Sequence, residues 1–108
     1  AELDARATAL RLRQSFDAAR ERETAAYEAW NIVDGRARPA ATRSLSLVVS
    51  AYRAGRLGYL EILDAQRSAL DAQLLWIETT AEAWRARHAL DALLGLTPDA
   101  RDAEGNER

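Results

Sequence analysis

The chain has 108 residues, one domain at most, and its 24 Ala and 15 Leu against three Val, three Ile and two Pro favour helix and argue against sheet. Seventeen acids oppose 15 Arg, with no Lys, so the net charge is −2 with both signs interspersed, a pattern unsuited to non-specific nucleic-acid binding. There is no Cys, which excludes disulfides and thiolate chemistry.

Residues 1–34 predict a helix. One apolar stripe runs Ala5, Ala9, Leu12, Phe16, Ala19, Ala26, Trp30, Val33 at alternating spacings of four and three, with Glu23 as its polar member. A second stripe runs Leu3, Ala7, Leu10, Ala18, Ala25, Ala29, Ile32. Two adjacent stripes make a face wider than a simple coiled-coil seam. A break follows near Gly35–Pro39, because Gly35 weakens the helix and Pro39 has no backbone donor and disfavours the α region at Arg38. The helix either stops here or kinks and continues.

Helical spacing resumes at Ala41, Leu45, Val48 and Tyr52, with Leu47, Ala51 and Ala54 beside them. The turn is expected at residues 55–58, where Gly55 suits a left-handed position that closes a helix and Gly58 can precede the next. So short a link makes its two helices antiparallel.

Residues 59–94 predict a helix of 36 residues, roughly 54 Å at 1.5 Å per residue. Leu60, Leu63, Leu70, Leu74, Ile77, Ala81, Trp84 and His88 follow heptad spacing, with Arg67 in the missing step. A second row, Ala65, Ala69, Ala72, Trp76, Thr79, Ala83, Ala86, Leu90, lies on a different side. A helix with two apolar rows calls for two helical neighbours. The row of Ala65, Ala69, Ala72, Trp76 and Ala83 is expected to be the unused one, predicting self-association or a larger parent. Gly95 followed by Pro98 ends the helix, and the polar residues 99–108 are expected to be a disordered tail.

A turn centred near 56.5 would set residue i opposite about 113 minus i. That places Trp84 beside Trp30 and Ala86 beside Tyr27, unless a kink at Pro39 shifts the register. Helix 59–94 outruns 40–54, so segment 1–34 stacks end to end on the latter and residues 1–17 overhang.

No chemistry is legible. The one His, His88, lacks a His or Cys neighbour at metal-ligand spacing and reads as a structural histidine, partly buried on a helix. The carboxylates alternate with Arg as on solvated helix faces. The chain is therefore expected to be a non-enzyme without cofactor or metal. No run of 18 apolar residues and no signal-peptide pattern is present. With no Met either, the chain is expected to be processed or a fragment.

The stretch from Ala51 to Arg67 carries Tyr52, Gly55 and then Leu63-Asp64-Ala65-Gln66-Arg67, followed by an Ala/Leu-rich helix to Leu93-Leu94-Gly95, with Pro39 upstream. It resembles the periplasmic-tip turn in the second repeat of the TolC-like outer-membrane efflux family. Residues 40–95 carry the resemblance, and 1–34 agree only in helical character.

The spacing and breaks predict an all-α fold, a long antiparallel coiled-coil-like hairpin over residues 1–98, and the resemblance implies that it is a fragment of an α-barrel. It implies a homotrimeric duct of the outer membrane and periplasm that receives substrates from an inner-membrane pump through a periplasmic adaptor. This segment would meet the membrane only through missing parts of the parent and would itself be soluble. Gly55, with Arg56, Leu57 and Gly58, matches the adaptor-docking tip. Tyr52 matches a tip tyrosine of the closed gate, and Glu61 and Asp64 match acidic positions at the duct entrance. Leu57 departs from the family, whose best-known gate network places an Arg there; neighbouring Arg56 is the substitute at hand. Local electrostatics also accounts for these charges: Glu61 and Asp64 lie in the first turns of a helix, and Arg53 and Arg56 near the end of another. The alternative function is a free-standing soluble helical hairpin acting as an oligomerisation module.

Overall fold

The computed structural model describes residues 1–95, so the expected tail at 99–108 and the Leu96–Pro98 stop signal lie outside the described residues. The chain is an all-α helical hairpin. Its elements are α1 (Glu2–Ile32), a π turn (Val33–Ala37), α2 (Arg38–Arg53) and α3 (Tyr59–Leu94). Among the described residues there is no strand. The helices form where the three-four spacing predicted them, and Glu2 and Asp4 stand at the positive end of the α1 dipole.

At Gly35–Pro39 the helix does not stop but continues through a π turn. The residues flanking the π turn, Ile32 and Arg38, keep helical dihedrals, and the amide of Arg38 donates to the carbonyl of Val33, five residues back. The cause is Pro39. An α-helical proline would drive its ring against the carbonyl four residues earlier, and it offers no N–H for that carbonyl. Widening the preceding turn to five-residue bonds takes in one extra residue and lets the backbone continue through the proline.

The hairpin holds two compact units, one of residues 1–26 with 82–95, the other Tyr27–Ala81. In the first unit Phe16, Ala19, Glu23 and Ala26 of α1 face inward, as do Ala83, Ala86, Leu90 and Leu93 of α3. Ala86 is wholly buried. Residues 1–15 are all exposed, while Phe16, within the expected overhang of 1–17, faces inward. In the second unit Trp30, Val33, Ala37, Ala41, Leu45 and Val48 face Ile62, Ala65, Ala69, Ala72, Trp76 and Thr79.

The inner row of α3 is thus the alanine-rich one, which corrects the expectation that it stands unused. The exposed row is the leucine row: Leu60 is 74% exposed, Leu70 55% and Trp84 62%. Side-chain size misdirects here. Alanines let two helices approach closely, while Trp76 and Trp30 supply the bulk and find polar partners for their N–H groups. The second α1 stripe also faces out, with Leu3, Leu10 and Ile32 exposed.

The register differs too. Trp30 Nε1 donates to Thr80 Oγ1 at 3.0 Å, and Trp76 Nε1 to Asp34 Oδ1 at 2.9 Å. Both pairs sum to 110, placing the centre of the reversal at Gly55 and not at 56.5. Trp30 is therefore engaged by Thr80, in place of the expected Trp84. Trp84 stacks on His88 at 5.8 Å, and His88 is exposed, not partly buried as expected. Gly95 follows α3 as expected, but its amide simply continues the helical bond to the Asp91 carbonyl at 2.9 Å, without a left-handed φ.

Candidate functional site at the hairpin tip

The tip begins where α2 runs out of donors for its last carbonyls. Ala54 caps the helix, Gly55 adopts φ +75°, and the chain folds back on itself. The Gly55 amide donates to the Tyr52 carbonyl and the Arg56 amide to the Ala51 carbonyl, both at 2.9 Å. This six-to-one and five-to-two pair is the Schellman closure, and it requires the left-handed residue that glycine provides without strain. Arg56, Leu57 and Gly58 then form an exposed link, and α3 starts at Tyr59.

Two rings close over the link. Tyr52 and Tyr59 lie 6.4 Å apart at 59°, a tilted aromatic pair between the two helix ends. Glu61 bends back toward the α3 N-terminus: its Oε2 lies 3.0 Å from where a Cβ on Gly58 would stand. That position sets its carboxylate at the positive end of the helix. Asp64 lies one turn on, in the wall of an open groove of about 460 Å³ lined also by Leu60, Leu63, Gln66, Arg67 and Leu70.

The structure thus brings Tyr52, Gly55, Arg56, Leu57 and Gly58 to one reversal, with Glu61 against it. It does not link them into a polar lock. Tyr52 meets Tyr59, and among the described residues neither Tyr52, Arg56 nor Asp64 makes a side-chain hydrogen bond or ion pair. Tyr59 had no place in the sequence reading, although its separation from Tyr52 across the glycine link was visible.

A second cluster was not foreseen. Asp34, inside the π turn, accepts from Trp76, and the Arg38 guanidinium lies 4.3 Å over the same indole. The sequence signal was the inner row Val33, Ala37, Ala41, Leu45, three consecutive steps of four where heptads alternate three and four.

Ion pairs tie the other unit. Arg22 Nε donates to Glu82 Oε1 at 2.8 Å, with Arg85 at 3.7 Å, and Arg87 Nη1 donates to Glu23 Oε1 at 2.9 Å. The Arg22 hydrogen bond holds the Glu82 carboxyl below its ordinary range, and the same bond raises Arg22. Arg87 is raised chiefly by its bond to Glu23, then by the charge of Asp91. Among the described residues no group of three His, Cys, Asp or Glu side chains could hold a metal ion. No helix among them is long and apolar enough to cross a membrane.

Comparison with family profiles, with curated proteins and with solved structures finds no match to this chain.

Proposed function

We propose that the chain forms the periplasmic-tip hairpin of a TolC-like outer-membrane efflux duct, one protomer's share of a trimer that docks a periplasmic adaptor and passes substrates from an inner-membrane pump. The reading rests on one observation. The residues that resemble the family, Tyr52, Gly55 and Leu63-Asp64-Ala65-Gln66-Arg67, stand on and just after the helical reversal, where the family carries its tip. Two further features favour it. The leucine row leaves α3 with a second apolar face, as a helix with a neighbour on each side needs. The tip exposes its link residues to an approaching partner. On this reading the protein is a conduit without catalysis, and its part in the outer membrane lies in segments other than this hairpin.

The test is Gly55→Leu in the full-length gene product. Adaptor cross-linking and export should fall while the trimer persists, because a left-handed leucine costs on the order of 1 kcal/mol, too little to dissolve a barrel. Wild-type cross-linking and export would make Gly55 only a helix cap. Loss of the trimer would make it structural and remove the best residue of the proposal.

The exposed leucine row also supports a second reading, a free-standing hairpin that pairs into a bundle. A native reading frame of about this length would favour it; one of several hundred residues with strands and a signal peptide would favour the duct.

A further inference from the structure

We infer that the π turn is a latched hinge, in which Trp76 is the latch and Asp34 and Arg38 hold it. The inference does not depend on the efflux reading. The turn stores one extra residue. The inner rows record it: in this arm the inward positions Val33, Ala37, Ala41 and Leu45 follow one another by three successive steps of four, whereas the inward positions of α3, Ile62, Ala65, Ala69, Ala72, Trp76 and Thr79, alternate three and four. The inner positions of α3 keep strict heptad spacing throughout, so the surplus residue lies in the other arm.

A surplus residue in a helix is not bound to one place. Exchanging one five-residue bond for a four-residue bond moves it along by a step. Two features pin it here. Pro39, lacking an N–H, bars its passage toward the tip. On the other side stands Trp76. Its indole N–H is half-buried and finds its acceptor in Asp34, a residue of the π turn itself. Its ring is covered by Arg38, the first residue after the turn. Moving the surplus residue toward the N-terminus would rotate Asp34 by about 100°, away from Trp76. The Trp30–Thr80 bond, one turn away, does not involve the π turn and serves as the internal control.

The experiment is amide hydrogen exchange on the 108-residue chain at fixed concentration. Trp76→Phe keeps an aromatic ring but loses the indole N–H, and amides of residues 31–38 should exchange about tenfold faster, the scale of one hydrogen bond to a charged acceptor. Residues 43–53 and 62–72 should exchange as in the parent chain. Asp34→Ala should reproduce the effect, and Asp34→Asn, which keeps an acceptor, should largely restore protection. Trp30→Phe should not single out residues 31–38. Unchanged exchange there in Trp76→Phe and Asp34→Ala would overturn the inference. So would uniform acceleration along the chain, which marks Trp76 as a core residue only, or Asp34→Asn behaving like Asp34→Ala. Should Trp76→Phe fail to fold, the two Asp34 variants decide by themselves, since both leave Trp76 in place.

Discussion

Two glycines three residues apart carry different demands. Gly55 sits at φ +75°, where any Cβ is strained, although nothing lies within 4 Å of it. Gly58 has no such φ, and only the end of the Glu61 side chain stands near its missing Cβ. Gly55→Ala should therefore destabilise the hairpin by about 1 kcal/mol, while Gly58→Ala should stay within about 0.5 kcal/mol of the parent as Glu61 swings aside. Urea midpoints of the two variants check this, and equal costs would contradict it. Glu82 gives a prediction in pH. Its carboxyl is lowered when folded, so its contribution is present above the ordinary carboxylate range and is lost as pH falls through the lowered value. Glu82→Gln should flatten stability against pH on that acid limb, and added salt should weaken the parent toward the variant, since the pair is exposed.

At the scale of elements, α3 carries two heptad rows on faces centred about 150° apart, from 100° per residue. One closes on the other arm, and the other is bare. Substitutions should separate them. Ala72→Leu on the inner row overfills a close approach and should cost about 1–3 kcal/mol, whereas Leu74→Gln on the outer row should leave thermal unfolding of the dilute chain nearly unchanged. The reverse order would mean the rows are assigned the wrong way round. Helix bounds were legible because periodicity and glycine punctuation are local signals. Which row faces inward was not, because Leu60, Leu63 and Leu70 outweigh Ala65, Ala69 and Ala72 on any hydrophobicity scale, and only the partner arm decides. The reversal was legible as Gly55 with a short link. The tyrosine pair and the grip on Trp76 were not, since each joins groups whose meeting depends on a register that the π turn and the centre at Gly55 set together.

For the whole chain, the bare row makes association the expected state. Leu60, Leu63, Leu70, Leu74 and Ile77 lie exposed along one line of α3, a contiguous apolar row of the kind that marks an association surface. Sedimentation of the 108-residue chain should give a species larger than one copy, with unfolding temperature rising with concentration, and Leu70→Gln with Leu74→Gln should abolish that rise. A stable, concentration-independent single copy in the parent chain would speak against an outer face built for helical neighbours.

The one-residue offset across the π turn governs how this hairpin can be cut and joined. A tip grafted from or onto another hairpin keeps its inner rows in step only if the exchanged part of this arm carries the surplus residue whenever it spans the π turn. An exchange spanning the turn with arms of equal length would omit the surplus residue and rotate the inner row on one side by about 100°. Chimeras should fold in matched pairs of junctions, and a junction wrong by a single residue should present alanines to water and leucines to the opposite helix.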